Sequence, residues 1–182
     1  MNVEMLAGII TGIVLGIILL LVVALFMTKK GTGIRPQYDE RQQQVRGIGY
    51  KYAFFTMMFY SFFYGFLELV LERRLADGMA AGFIGIAIGA GVYATYCIWK
   101  EGYISLNENY KRVCIVIAIV CIWNFGLGIG SIEDGKLIEN GVLTFRSINL
   151  ICGILSIWIL LQLFVKHCLD AHKWKEEEAE DE

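Results

Sequence analysis

Five long apolar runs constrain this chain more than any other feature of its sequence. A run of about 18 or more apolar residues is typical of a membrane helix, because about 20 residues cross the hydrocarbon core of a bilayer. The 182 residues are 57% hydrophobic and include a single proline, which is more apolar surface than a soluble domain of this size can bury. We predict an all-α integral membrane bundle of five transmembrane helices, with spans at about 5–27, 47–71, 79–99, 112–130 and 148–165.

The first span is expected to be retained as an anchor. No basic residue precedes it, its apolar core is about twice as long as that of a signal peptide, and no small-residue cleavage site follows. Gly8, Gly12 and Gly16 recur at four-residue intervals along it, which favours close packing against another helix. The packing partner is either another span of the same chain or a second copy.

Residues 1–167 are expected to form one transmembrane domain, followed by an acidic tail at 168–182. Its last seven residues, 176–182, carry six of the 18 acidic residues, so the tail is expected to need no fixed structure.

The distribution of basic residues predicts the orientation of the bundle. Of the 16 lysines and arginines, twelve fall on one side of the predicted spans and four on the other. Basic residues are enriched in cytoplasmic loops, so we predict an N-terminus outside and a C-terminus inside. The four on the outer side are Arg73, Arg74, Lys136 and Arg146.

The start of the second span is the most specific local pattern. Asp39 fits a helix N-cap, and Gln42 three residues later completes a capping-box pattern. Glu40 in the first turn suits the helix dipole. We predict that Asp39, Glu40 and Arg41 shape a cytoplasmic docking element at the head of this helix.

The second span is unusually aromatic, because residues 50–66 hold ten of the 24 aromatic side chains. Aromatic residues commonly fill membrane cores and interfaces, so we expect lipid-facing and inter-helix packing; a flat hydrophobic ligand stacked among them is the alternative. A small-residue stripe interrupts this surface and is predicted to pack on the glycines of the first span. Its members are Gly49, Ala53, Ser61 and Gly65.

Two polar residues at membrane depth are candidate sites. Glu68 lies about one turn before the outer end of its span and is expected to pair with Arg73 or Arg74, with a proton or cation site as the alternative. Asn124, in the fourth span, is expected to form an interhelical hydrogen bond, as is Gln162 in the fifth.

The sequence predicts no catalytic residues, metal or cofactor. His167, Cys168, Asp170 and His172 lie at helical spacing, but no further ligands are expected to converge on them. Phosphate-binding loops, nucleophile elbows and zinc-binding HExxH motifs are absent from the sequence.

The outer loop between the last two predicted spans contains Asn140-Gly141, flanked by 136–139 and 142–145. This dipeptide predicts a type I′ hairpin, because both turn residues need positive φ. An isolated two-stranded ribbon is marginally stable, so the hairpin is expected to rest on the outer end of the bundle.

Tyr38-Asp39-Glu40-Arg41-Gln42 ahead of an aromatic span, and the Asn140-Gly141 turn before Ser147-Ile148-Asn149-Leu150, resemble a set of small bacterial membrane proteins of unknown function. Those proteins carry an Asp-Glu-Arg motif at the head of the second span. The resemblance implies a location in the bacterial cytoplasmic membrane and little about activity.

These patterns together favour a non-enzymatic accessory, regulatory or assembly component. Its expected partners are the lipid bilayer and either a membrane protein or a second copy of the chain, and not nucleic acid. A small-solute or ion transporter or channel subunit that uses Glu68 and Asn124 is the alternative, and a membrane enzyme comes third.

Overall fold

The computed structural model describes the backbone of residues 36–180 and the side chains of residues 36–172. The predicted first span, with Gly8, Gly12 and Gly16, lies outside the described residues. The described part contains four α-helices, one β-hairpin and one 3₁₀ turn. They are α1 (Glu40–Leu71), α2 (Gly78–Trp99), α3 (Tyr110–Glu133), β1 (Ile138–Glu139), β2 (Val142–Leu143), the 3₁₀ turn (Phe145–Ser147) and α4 (Ile148–Glu180).

The fold within residues 37–180 is an all-α bundle with a short hairpin, as the apolar runs predict. Each of the four helices is long and apolar enough to cross a membrane. Helix α1 packs on α2, α2 packs on α4, and α4 packs on α3. Helix α2 therefore lies between α1 and α4 in the order of contacts.

Side-chain caps begin three of the helices. Asp39 Oδ1 accepts from the backbone nitrogen of Gln42 at 2.6 Å, and Asp77 Oδ1 accepts from that of Ala80 at 2.7 Å. Asn109 caps α3 in the same manner. Each cap supplies an acceptor to a first-turn nitrogen that has no partner within the helix. The N-cap predicted at Asp39 is confirmed.

Small residues allow α1 and α2 to approach closely. A Cβ atom at Gly85 would lie 2.7 Å from the Tyr60 ring, and one at Gly89 would lie 3.2 Å from the carbonyl oxygen of Ala53. Gly49 on α1 likewise accommodates the Tyr93 ring of α2. The predicted small-residue stripe of α1 therefore contacts α2 at Gly49 and Ala53, whereas its predicted contact with the first span lies outside the described residues.

The hairpin forms and packs where the sequence predicts. Asn140 and Gly141 have φ values of +52° and +77°, and Glu139 pairs with Val142 in the antiparallel register. The hairpin rests on the turn between α1 and α2, because the backbone nitrogen of Leu143 donates to Leu75 and Asp77 donates back to Leu143.

The tail that follows residue 167 is predicted to need no fixed structure, but the structure continues the last helix through it. The backbone of α4 continues without a break to Glu180. Residues 168–180 contain neither glycine nor proline and are rich in the strong helix formers Ala, Glu, Lys and Leu. Helix propensity therefore extends α4 beyond its apolar stretch.

Candidate functional site

The described chain has two polar ends, and each collects candidate residues. We call one the basic end; it comprises the start of α1, the loop 100–109 between α2 and α3, and α4 around Lys166. We call the other the hairpin end; it comprises the turn 72–77 and the hairpin. Three of the four ion pairs among the described residues lie at the basic end.

Gln42 joins the head of α1 to the loop of the basic end. Its side chain is only 6% exposed. Its amide nitrogen donates to the carbonyl oxygen of Glu101 at 2.8 Å and to that of Ile104 at 3.2 Å. A capping box would also require the Gln42 side chain to bond back to Asp39. The side chain faces the loop instead, so this half of the prediction is wrong. Its Oε1 has no hydrogen-bond partner among the described residues.

Two further contacts fix the same loop against the chain preceding α1. The backbone nitrogen of Leu106 donates to the carbonyl oxygen of Gln37 at 2.9 Å, and the nitrogen of Gln37 donates to Asn107 Oδ1 at 3.1 Å. A Cβ atom at Gly102 would lie 2.7 Å from Val45, so this glycine allows the loop to approach α1. The head of α1 and the loop consequently form one hydrogen-bonded unit.

Glu101 is the charged centre of the basic end. Its Oε2 lies 2.8 Å from an Arg41 guanidinium nitrogen, and its Oε1 lies 3.4 Å from Lys166 Nζ. Lys166 also pairs with Asp170, one turn later on α4, at 2.7 Å. The carboxylate of Glu101 thus bridges α1 and α4.

The backbone of Glu101 is also unusual. Its φ is +59°, a left-handed conformation that costs free energy for a residue with a side chain. Hydrogen bonds from Arg41 and Lys166 lower the pKa of the Glu101 carboxyl. The contacts of both its side chain and its carbonyl oxygen offset the strain of this conformation.

The predicted Asp39-Glu40-Arg41 motif is largely engaged within the chain. Asp39 caps α1 and Arg41 pairs with Glu101, so both side chains build the junction between α1 and the loop. Glu40 is exposed. Leu106, an apolar loop side chain, is 65% exposed, and its backbone nitrogen bonds to Gln37, three residues before Glu40.

Glu68 has different partners from those predicted. Its Oε1 accepts from the Tyr64 hydroxyl at 2.7 Å and from the backbone nitrogen of Leu75 at 3.2 Å. Among the ion pairs of the described residues, none joins it to Arg73 or Arg74. The chain reverses direction at residues 72–77, so Glu68 reaches the returning backbone and stabilises the turn on which the hairpin rests.

Of the two amides predicted to form interhelical hydrogen bonds, one does so and the other does not. Gln162 on α4 accepts from the indole nitrogen of Trp99 on α2 at 2.6 Å, which confirms an interhelical bond. Asn124 instead donates to the carbonyl oxygen of Val120 in its own helix at 2.8 Å, so that prediction is wrong. Glu68 and Asn124 belong to α1 and α3, which pack on different neighbours.

In the histidine-containing segment of α4, side chains form a ring stack and an ion pair with other residues of the chain. His167 stacks on Tyr110 with ring centroids 4.8 Å apart, and Asp170 pairs with Lys166. Among residues 36–172, no three side chains of the metal-binding types come together.

The aromatic residues of α1 divide into two groups. The phenylalanines are largely uncovered by other described residues, with Phe62 68% exposed. By contrast, Tyr50 stacks on Tyr93 of α2, and Tyr52 meets Tyr96 of α2 edge to face. A cavity of about 770 Å³ opens over α2 between α1 and α4. Its lining is almost entirely apolar and includes Tyr52, Tyr96, Trp99, Leu155 and Trp158.

The sequence does not indicate which residues organise the basic end. Glu101 and Lys166 follow no motif, and their proximity depends on how α2 and α4 pack. A glycine directly after Glu101 is the one local sign of an unusual turn.

Comparisons with family models, with curated proteins and with solved structures found no match to this chain. The resemblance to membrane proteins with an Asp-Glu-Arg motif stays a prediction.

Proposed function

We propose that this protein is a non-enzymatic accessory or assembly component of a bacterial cytoplasmic membrane. In this proposal it has five spans, its N-terminus is outside, and its basic end is in the cytoplasm. The asymmetry of lysine and arginine supports that orientation.

The observation that carries the proposal is the rigid junction between α1 and the loop 100–109. Gln42 and Arg41 hold the two together through hydrogen bonds to Glu101. A preorganised surface loses little conformational entropy when a partner binds. This geometry is suited to recognition.

The proposed partner is the cytoplasmic part of another integral membrane protein. The exposed surface of the junction combines one apolar side chain, Leu106, with the polar side chains of Glu40, Gln43 and Gln44. Protein interfaces commonly combine an apolar centre with a polar rim. Its position next to the membrane favours a partner held in the same membrane.

Purification of the tagged protein in a mild detergent tests the proposal. We expect a second membrane protein to co-purify with the wild type, to be lost from Leu106→Asp, and to be reduced for Arg41→Ala, because that variant loosens the junction. Ile138→Asp is the matched control, since Ile138 is a similarly exposed apolar residue in the hairpin. A protein that purifies alone, with both variants behaving as the wild type does, would contradict the proposed function.

A further inference from the structure

Three tyrosines surround one arginine near the start of α1. The Arg46 guanidinium carbon lies 4.0 Å from the centre of the Tyr38 ring. Tyr93 and Tyr50 are its other electrostatic neighbours, and their rings stack on each other with centroids 4.5 Å apart. These residues come from the segment before α1, from α1 and from α2.

Each tyrosine has a structural reason for its position. Tyr38 precedes the N-cap Asp39, and its carbonyl oxygen accepts from Gln43 at 3.1 Å. Tyr50 lies one turn after Arg46 on α1, at the i+4 position whose side chains meet. Tyr93 reaches α1 because Gly49 has no side chain; a Cβ atom there would lie 3.1 Å from the Tyr93 ring.

The charge of Arg46 is not neutralised within the described chain. Among the ion pairs of residues 36–172, none includes Arg46. The preceding sequence 28–35 contains Lys29, Lys30 and Arg35 and no acidic residue. By contrast, Arg41, five residues earlier, is paired with Glu101.

A second polar group at the same place lacks a hydrogen bond of good geometry. The hydroxyl oxygen of Tyr93 is buried, and although Tyr50 and Cys97 lie next to it, neither forms a well-aligned hydrogen bond with it. A buried hydroxyl whose hydrogen bonds are poorly formed is costly. A ligand that accepts from both the guanidinium and the phenol would satisfy the two groups together.

We propose that Arg46, with Tyr50 and Tyr93, binds the phosphate of an anionic phospholipid headgroup. A guanidinium whose face is covered by an aromatic ring keeps its in-plane N–H groups available, and two of them match a pair of phosphate oxygens. The membrane itself supplies this anion next to a basic juxtamembrane segment. The site does not depend on the protein partner proposed above, although it does rest on the membrane location.

The test titrates the detergent-purified full chain with short-chain phosphatidylglycerol and counts bound lipids by native mass spectrometry. The other probes are short-chain phosphatidylcholine, which is zwitterionic, and inorganic phosphate, which has no acyl chain. For the wild type we expect phosphatidylglycerol to bind most tightly and inorganic phosphate most weakly.

Substitution of Arg46 should weaken binding of phosphatidylglycerol selectively. We expect about a tenfold loss of affinity for Arg46→Gln, since a charge-assisted bidentate contact is removed, and a smaller loss for Tyr93→Phe. Arg112→Gln is the control, because Arg112 is an exposed basic residue at the start of α3. If Arg46→Gln does not fold, Arg46→Lys replaces it, because that variant keeps the charge and loses the bidentate geometry.

Equal affinity of the wild type and the Arg46 variant for phosphatidylglycerol would overturn the proposal. So would phosphatidylcholine bound as tightly as phosphatidylglycerol. Inorganic phosphate bound as tightly as the lipid would identify a soluble anion as the ligand and overturn the choice of a headgroup.

Discussion

Gln42 is a neutral amide placed where the first turn of α1 meets the loop 100–109. It is 6% exposed, and its nitrogen donates to two loop carbonyl oxygens. A buried donor of this kind contributes little net stability when it is paired, but its removal leaves both carbonyl oxygens without their partner. The residue therefore specifies the position of the loop.

Replacing Gln42 by Ala is expected to destabilise the fold by about 1–3 kcal/mol, the usual cost of unsatisfied buried polar groups. Thermal unfolding in detergent measures the change. Gln43→Ala is the matched control: Gln43 is exposed and donates only to the carbonyl oxygen of Tyr38, so a change within about 0.5 kcal/mol is expected. Equal stability of the two variants would show that the amide does not hold the loop.

Glu101 provides a prediction about pH. Arg41 and Lys166 lower the pKa of its carboxyl in the folded protein below the ordinary value of 4.5. The ion pairs therefore stabilise the fold above the unfolded pKa, and this stabilisation is lost as the pH falls through the lower folded pKa. We expect the difference in Tm between the wild type and Glu101→Gln to be largest near neutral pH and to shrink as the pH falls below the ordinary value of 4.5.

The comparison with Glu101→Gln isolates this group, because the other carboxylates titrate in both proteins. Glu101 and Arg41 are both more than half exposed, so added salt should reduce the same difference in Tm. A difference that is constant with pH and salt would mean that the glutamate stabilises the loop by packing and not by charge.

Gly128 lies at the contact between α3 and α4. A Cβ atom at Gly128 would lie 2.7 Å from Leu150 Cγ and 3.3 Å from the backbone nitrogen of that residue. No described atom lies within 4 Å of the corresponding position at Gly126, two residues earlier in the same helix. The two glycines are therefore a matched pair for testing the packing of these helices.

Gly128→Ala should lower stability by about 1–3 kcal/mol, the usual cost of overpacking. Gly126→Ala should be neutral or slightly stabilising, because alanine favours the helix more than glycine. Unfolding of both variants under identical detergent conditions measures the difference. A Gly126→Ala variant as unstable as Gly128→Ala would contradict the described packing of α3 on α4.

The hairpin end depends on one side chain that serves two elements. Asp77 caps α2 through Oδ1, and its Oδ2 accepts from the backbone nitrogen of Phe145, just after β2. Asp77→Ala is expected to cost about 1–2 kcal/mol through the lost cap and to release the hairpin for proteolytic cleavage. Asp134→Ala is the control, because Asp134 is an exposed residue at the end of α3; equal cleavage of the two variants would contradict the role of Asp77.

The helices, caps and turns were predictable because each depends on a short stretch of sequence. Apolar length determines the spans, Asp39 determines the start of α1, and Asn140-Gly141 determines the hairpin. The partners of Glu68 and Gln42 were not predictable, since Leu75 and Ile104 reach them only after the chain reverses direction. The arrangement of Arg46 with Tyr38 and Tyr93 likewise combines a turn with a contact between two helices.

The whole molecule is proposed to place its two ends on opposite sides of a membrane. The basic end would face the cytoplasm with its ion pairs and its loop 100–109, and the hairpin end would face outside. Both proposals, the partner surface at Leu106 and the headgroup site at Arg46, concern the basic end. The orientation is therefore the claim on which the account of function depends most.

Cysteine accessibility in intact cells tests that orientation most directly. Single cysteines would replace Glu108 in the loop of the basic end and Asn140 in the hairpin, with the five native cysteines substituted. A membrane-impermeant maleimide should label Asn140→Cys in intact cells, and Glu108→Cys only after the membrane is permeabilised. Labelling of Glu108→Cys in intact cells, with Asn140→Cys protected, would contradict the account.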